Sequence, residues 1–529
     1  MKRCFYFIIT IGFLMLWSSC RKDFEFAPST GGLQFSKDTV YLDTVFTNIG
    51  SSTYTLKVYN QSNNDISIPS VKLALGETSN YRLSVDGIAG KTFEDIELLA
   101  NDSLFIFVES TIDIKNFPNP NGAYLYTDQI EFDSGANLQK VELVTLVKDA
   151  IFIYPDRDEA TKVIETLKIT INGEAFETDL QGRELLPDEL TFTNEKPYVI
   201  YGYAAVPPNK TLTIEAGARL HFHEDSGLIV LENASLKVNG EFSTDKERME
   251  NEVIFEGDRL EPLFSDIPGQ WGTIWLFENS KNNIINYATI KNATVGILSD
   301  GNPNGSGSIF DPRGVTDKLT ITNSQIYNSA SFGILGRNTS ITGENLVINN
   351  SGLASFAGTF GGKYNLTHST IANYWSNSFR EIPALLINNF LLDEDDTAIL
   401  ADLDAANFNN CIIFGNEDIE FLLEEIEDDA VVFNFKFTNC LVKFKDNNEE
   451  YDGPNYDFED TNLYQSILFN ENPDFQNTQR NQMAVGEASA GINQADPVFA
   501  DQVPLDILTV NRTNSPDIGA YQHTTFSEE

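Results

Sequence analysis

The sequence predicts an all-β protein in which a β-sandwich precedes a right-handed parallel β-helix. Three observations predict it. Residues from about Leu33 to Asp149 alternate apolar and polar with a period of two, the mark of strands that bury one face. From about Lys196 onward a short apolar pattern recurs at uneven but coil-sized intervals. The chain is also rich enough in apolar residues to pack both parts: 41% are hydrophobic, 12% aromatic, and Phe alone occurs 38 times.

At 529 residues the chain exceeds one ordinary core, so more than one domain is expected. Its 35 Lys and Arg face 78 Asp and Glu, and the net charge of -43 repels phosphate backbones, so nucleic acid is not an expected partner. Polyuronic acids meet the same repulsion unless a divalent cation bridges them.

The N-terminus carries Lys2 and Arg3, an apolar run from Cys4 to Trp17, then Ser18, Ser19 and Cys20 before the chain turns charged. This reads as an export signal over residues 1–19, with an apolar run too short to span a bilayer comfortably. Small residues before a Cys resemble the lipobox of bacterial lipoproteins. The resemblance implies that Cys20 is lipidated, that residues 20–32 form a tether, and that the protein sits on the outer membrane, exposed at the cell surface. With Cys4 and Cys20 so assigned, only Cys411 and Cys440 remain for the fold, which excludes a disulfide framework.

Residues 33–150 read as the sandwich. In Thr53 to Tyr59, residues Tyr54, Leu56 and Val58 face one way and Thr55, Lys57 and Tyr59 the other. Phe105 to Val108 and Val141 to Val147 are further strands, and Asp133 to Asn137 is a hairpin turn. The segment resembles an immunoglobulin-like β-sandwich, without the Cys-Trp-Cys signature of antibody domains. Residues 151–195 form a charged junction interrupted by Pro155, Gly173 and Pro187, and the sequence leaves its structure open.

Residues 196–524 read as the β-helix. Six segments share one pattern: Ile285 to Asn292, Ile321 to Asn328, Gly343 to Asn350, Leu366 to Asn373, Phe408 to Gly415 and Phe437 to Phe444. Their starts lie 36, 22, 23, 42 and 29 residues apart, so the shortest steps are single coils and the longer ones carry inserted loops. A coil of short strands cannot bury its inner face alone, so like residues stack on like. Asn323, Asn345, Asn410 and Asn439 occupy one slot, with Tyr287 and His368 as variants, and such a stack can pass amide hydrogen bonds along the axis. Cys411 and Cys440 share the next slot as core residues. Earlier coils are visible in Leu212 to Gly217, Gly227 to Val238, Val253 to Phe255 and Gly272 to Phe277.

The run Leu212 to Leu220, the segment Pro268-Gly269-Gln270-Trp271-Gly272, the segment Ile371 to Trp375, and the closing Asp496 to Phe499 and Pro516 to Tyr521 resemble right-handed parallel β-helix surface lipoproteins of the pectin-lyase-like superfamily. The resemblance covers roughly residues 195 to 524. It implies the fold and leaves activity open, because this fold hosts lyases, hydrolases, epimerases and adhesins.

Chemistry is harder to place. The Asn-Thr-Asp, Ser-His-Gly and Arg-Ile-Lys motifs of polygalacturonase-like enzymes are absent, and the Asp395-Asp396 and Asp428-Asp429 pairs lie in acidic insertions without a nearby His or Arg in sequence. Arg313, Lys318, Arg337, Lys363 and Arg380 are the cations on which a lyase would draw, and nothing in the sequence singles one out. His221 and His223 share a strand face but lack a third ligand for zinc. Between Arg380 and Lys436 there are 15 acidic residues and no Lys or Arg, and Asp393, Glu394, Asp395 and Asp396 offer oxygen ligands to calcium.

For carbohydrate, Trp271 and Trp275 are four residues apart, so an unbroken strand would set both rings on one face, and Tyr374 and Trp375 follow about four coils later. Such rings either stack on successive sugars or fill the core. The sequence therefore predicts a lipid-anchored cell-surface β-helix protein, a non-catalytic scaffold or glycan-contacting protein, with polysaccharide or a surface protein as partner and no resident cofactor. The alternative is a polysaccharide lyase or glycoside hydrolase of the pectin-lyase-like superfamily.

Overall fold

A computed structural model describes residues 25–118, 121–171, 174–301, 317–393 and 395–526. The chain is all-β with large parallel sheets and divides into two compact units, residues 1–149 and 150–529. Cys20 and the export segment lie outside the described residues. Among the described residues no helix is long and apolar enough to cross a membrane.

In the first unit a six-stranded and a five-stranded sheet share one core. The alternation read from the sequence decides which residues enter it. In strand Tyr54–Tyr59, Leu56 and Val58 are fully buried while Lys57 and Tyr59 stay partly exposed. Strands Ala123–Phe132 and Gln139–Lys148 pair antiparallel in full register, and Asp133 and Gly135 take the left-handed conformations that the turn between them needs.

The second unit contains an 11-stranded and an 18-stranded sheet, built mainly from parallel pairs between successive passes of the chain. The junction belongs here: Ile151–Ile153 opens the smaller sheet, and Thr166–Ile171 pairs antiparallel with Glu174–Glu184 at the start of the larger.

The six repeat starts stand opposite one another. Ile285 pairs with Ile321, Ile321 with Gly343, Gly343 with Leu366, Leu366 with Phe408 and Phe408 with Phe437. Tyr287, Asn323, Asn345, His368, Asn410 and Asn439, two residues further on, all have positive φ between 43° and 54°. That slot is the corner between strands, and Asn tolerates the left-handed conformation better than most residues, which explains its recurrence. Asn345 donates to Asn323 at 2.9 Å, Asn323 to Asn286 at 2.9 Å, and Asn410 bonds the His368 ring at 2.9 Å.

Inward residues such as Ile274, Ile297, Ile334, Phe356, Leu385 and Phe421 stack in register to form the core. Cys411 and Cys440 are buried there as free thiols. Phe444, Tyr456, Phe458 and Tyr464 gather around Phe421 near the last strands. The closing segment then turns back along the smaller sheet, where Arg512 donates to the Asn345 amide oxygen at 2.9 Å and Asn410 donates to the Asp496 carbonyl at 3.0 Å.

Candidate functional site

The two tryptophans expected on one face do not share it. Strand Trp271–Leu276 shifts register against strand Ala293–Asp300 at Thr273 and Ile274, where Gly296 is the extra residue on the neighbour, and the alternation breaks there: Thr273 and Ile274 are both buried, so Trp271 points in and Trp275 out. Trp271 is 1% exposed, stacks on Phe222 with centroids 4.4 Å apart, and donates from Nε1 to the Lys291 carbonyl at 2.9 Å. It is a core residue. Trp375 is also buried and donates to Ser378 Oγ at 2.9 Å, while Tyr374 meets Phe475 edge-on beneath the closing segment. These three rings do not form an exposed platform. Trp275 points outward, half-buried, and its Nε1 donates to Asp300 Oδ2 at 2.8 Å.

That hydrogen bond leads to a cleft lined by Phe277, Glu278, Asp300, Arg337, Phe360 and Leu391, with a volume of about 210 Å³. It forms where strands Trp271–Leu276, Ala293–Asp300 and Phe332–Glu344 run side by side. Asp300 stands opposite Arg337 in register. The Arg337 guanidinium grips Asp300 with both Nε to Oδ1 at 2.6 Å and Nη2 to Oδ2 at 2.8 Å. Such a bidentate pair fixes both partners in orientation. With Trp275 on the same carboxylate, both Asp300 oxygens are engaged.

Phe360 enters from the next strand with φ of +56°, a left-handed conformation that is costly for a bulky residue. Its amide donates to the Asn388 side chain at 2.8 Å, which holds the backbone there. Gly361 follows at φ +68°, and a Cβ on it would lie 2.3 Å from the Asp402 carbonyl oxygen, so the chain beyond Phe360 has no room for a side chain. The hairpin of Phe390–Leu392 and Ala398–Leu400 supplies Leu391.

Two ionisable groups here are displaced toward neutrality. Partial burial raises the Glu278 carboxyl above its ordinary range, opposed by Lys318 and assisted by Asp300 and Glu232. No hydrogen bond from a described residue holds it. Lys318 lies fully buried, donating from Nζ to the main-chain carbonyls of Phe277, at 2.9 Å, and of Asp300. Desolvation pushes its ammonium down to about 7, against the opposing pull of Asp300 and Glu278. Perturbation of this kind in a concave site marks functional candidates.

Of the five cations noted in the sequence, the structure brings Lys318 and Arg337 to this cleft. Arg380 is buried against Glu420, Lys363 reaches toward Asp317 at 3.8 Å, and Arg313 lies outside the described residues. Sequence reasoning missed Phe277, Glu278, Asp300 and Phe360. Asp300 and Arg337 occupy equivalent positions in strands that lack the Asn slot, so the repeat used to align the coils did not reach them.

Asp393 Oδ1 accepts from the amides of Asp395 and Thr397, each at 2.9 Å, and so closes its own hairpin turn. Glu394 lies outside the described residues, and among the described residues no group of three or more His, Cys, Asp or Glu is placed to hold a metal ion.

No protein-family model and no curated protein matches the chain. Among solved structures, the PapD-like domain 7 of human CEP192 is 15% identical over 25% of this chain and 94% of its own, with a TM-score of 0.14. The E. coli chaperone DraB is 14% identical over 24% of this chain and 58% of its own, with a TM-score of 0.16. The catalytic domain of a GH87 α-1,3-glucanase is 10% identical over 75% of this chain and 81% of its own, with a TM-score of 0.15.

Proposed function

We propose that the chain is a lipid-anchored protein of the cell surface, in which an immunoglobulin-like β-sandwich carries a right-handed parallel β-helix that contacts glycan. The in-register repeat starts and the shared left-handed corner slot support the β-helix. Right-handedness follows the general rule for parallel crossovers. The two sheets around one core support the sandwich. Basic residues, a short apolar run and Ser18-Ser19-Cys20 support the anchor.

The observation that carries the glycan reading is the cleft beside Trp275. It sets the half-buried Trp275 ring and the exposed Leu391 side chain, over a floor of buried Phe277 and Phe360, beside a carboxyl and a guanidinium, a mixture of apolar surface and directed polar groups by which sugars are held. The geometry favours holding over cutting. Glycoside hydrolysis needs two carboxyl groups in complementary roles, and Asp300 has both oxygens engaged by Arg337 and Trp275. Lys318 is turned to main-chain carbonyls.

The test is a glycan array on the purified mature chain, with product analysis on every glycan that binds. Binding without products, weakened by Arg337→Met and by Leu391→Ala, is the expected result. Appearance of shortened or unsaturated products would replace this reading with the hydrolase or lyase. Absence of binding to every glycan would remove the cleft as a glycan site.

A further inference from the structure

We infer that the cleft takes an uncharged sugar ring, with Glu278 as the acceptor for its hydroxyl groups and as the barrier to carboxylated sugars. This rests on the glycan reading of the cleft and specifies its ligand.

The argument starts from which polar groups are already committed. Both Asp300 oxygens are engaged by Arg337 and Trp275, and Lys318 is fully buried. Arg337 uses Nε and Nη2 on Asp300, its side chain is 45% exposed, and its Nη1 donates to none of the described residues. Glu278 is half-exposed, and no described residue hydrogen-bonds its carboxyl. Among the described residues the cleft therefore offers one carboxyl with unused lone pairs and one guanidinium with an unused edge, beside the exposed Leu391 side chain and over a floor of buried Phe277 and Phe360. Vicinal hydroxyl groups on a pyranose can donate to the first and accept from the second while the ring's apolar face lies against Leu391.

Size and charge narrow the class. A cavity of about 210 Å³ is below the roughly 300 Å³ at which pockets for drug-sized ligands begin, which leaves room for one ring. An incoming carboxylate would meet the Glu278 and Asp300 carboxyls that line the cleft, in a chain whose net charge is -43. The Arg337 charge is balanced by Asp300, so among the described residues that line the cleft no uncompensated cation offsets this repulsion.

The experiment titrates the full mature chain with neutral gluco-, manno- and galacto-oligosaccharides and with oligogalacturonate and oligoglucuronate of equal length, by calorimetry. The same series is run on Glu278→Gln and Arg337→Met. The wild-type chain should bind at least one neutral series and bind its uronate counterpart at least tenfold more weakly. Glu278→Gln should weaken neutral binding about tenfold, the loss expected for a hydrogen bond to a charged group, and should narrow the gap between neutral and acidic sugars. Equal binding of neutral and acidic series by the wild type, or Glu278→Gln leaving both unchanged while Arg337→Met abolishes binding, would overturn the assignment and keep the cleft as a glycan site. Failure of every probe to bind would overturn the glycan reading itself.

Discussion

Trp271 separates the core reading of the aromatic residues from the platform reading most sharply. The perturbation is Trp271→Ala. The ring is 1% exposed and lies 4.4 Å from Phe222 in near-parallel stacking. Truncating a buried aromatic of this size costs about 3–5 kcal/mol, because the wall around the lost ring relaxes only in part. Loss of the Nε1 bond to the Lys291 carbonyl removes about 1 kcal/mol more. Trp271→Phe keeps most of the stack and should cost about 1–2 kcal/mol. Urea unfolding followed by circular dichroism measures both, and sugar binding to the folded Phe variant should stay at the wild-type level. Trp275→Phe is the contrasting case: it removes one of the two donors to Asp300 Oδ2 and loosens the carboxylate that orients Arg337, so binding at the cleft should fall while the unfolding midpoint moves little. A Trp271→Ala protein that unfolds like the wild type but no longer binds sugar would refute the reasoning.

Cys20→Ser should release the protein from the membrane fraction of the producing cell, and a variant that still sediments with membrane would show that the anchor is something else. Arg380 and Glu420 form a pair at 2.7 Å with side chains 1% and 0% exposed, so Arg380→Met should cost about 3–5 kcal/mol by leaving Glu420 buried without its cation. The double variant Arg380→Met, Glu420→Leu should recover part of that in the same unfolding assay, because it removes both charges. His368 is held well below its ordinary range by burial and by the nearby Arg512, so the folded chain binds fewer protons than the unfolded one at pH values below about 6.5. Its contribution to stability is full above that pH and is lost as the pH falls. The melting temperature should therefore drop between pH 7 and pH 5, with a smaller drop in His368→Gln.

The fold was legible where one physical demand repeated along the chain. The corner slot takes a left-handed residue on successive passes, so the recurring Asn323, Asn345, Asn410 and Asn439 mark the register in the sequence itself. The strands of the first unit were legible because one-sided burial imposes alternation, as at Leu56 and Val58. The tryptophans were misplaced because a bulge is a local insertion in the pairing, invisible to a count of alternating residues from Trp271 to Trp275. The cleft was illegible for a different reason. Asp300 and Arg337 are 37 residues apart, and Phe360 and Leu391 come from later passes, so only the register brings them together.

Charged side chains also stack on the outer face of the smaller sheet, and they show why the cleft is the better candidate. His221 stands opposite Glu256 in register, and Glu256 lies 2.8 Å from Lys291, with Lys291 opposite Tyr327. By residue type this row looks as suited to chemistry as the cleft. Its electrostatics say otherwise. Burial alone would raise Glu256, yet His221 and Lys291 outweigh it and hold the carboxyl below its usual range. Burial opposes the Lys291 charge, yet Glu256 outweighs it and holds the ammonium high. Tyr327 is pushed up to about 12 by burial. Glu256 and Lys291 are each driven away from neutral pH into the charged state that suits the other, which is how ion pairs that support a fold behave. In the cleft the displacements run the other way: Glu278 rises and Lys318 falls to about 7, and Glu278 keeps lone pairs that no described residue uses. A group that satisfies its neighbours has little left for a ligand, and the direction of the shifts distinguishes the two surfaces where residue identity does not.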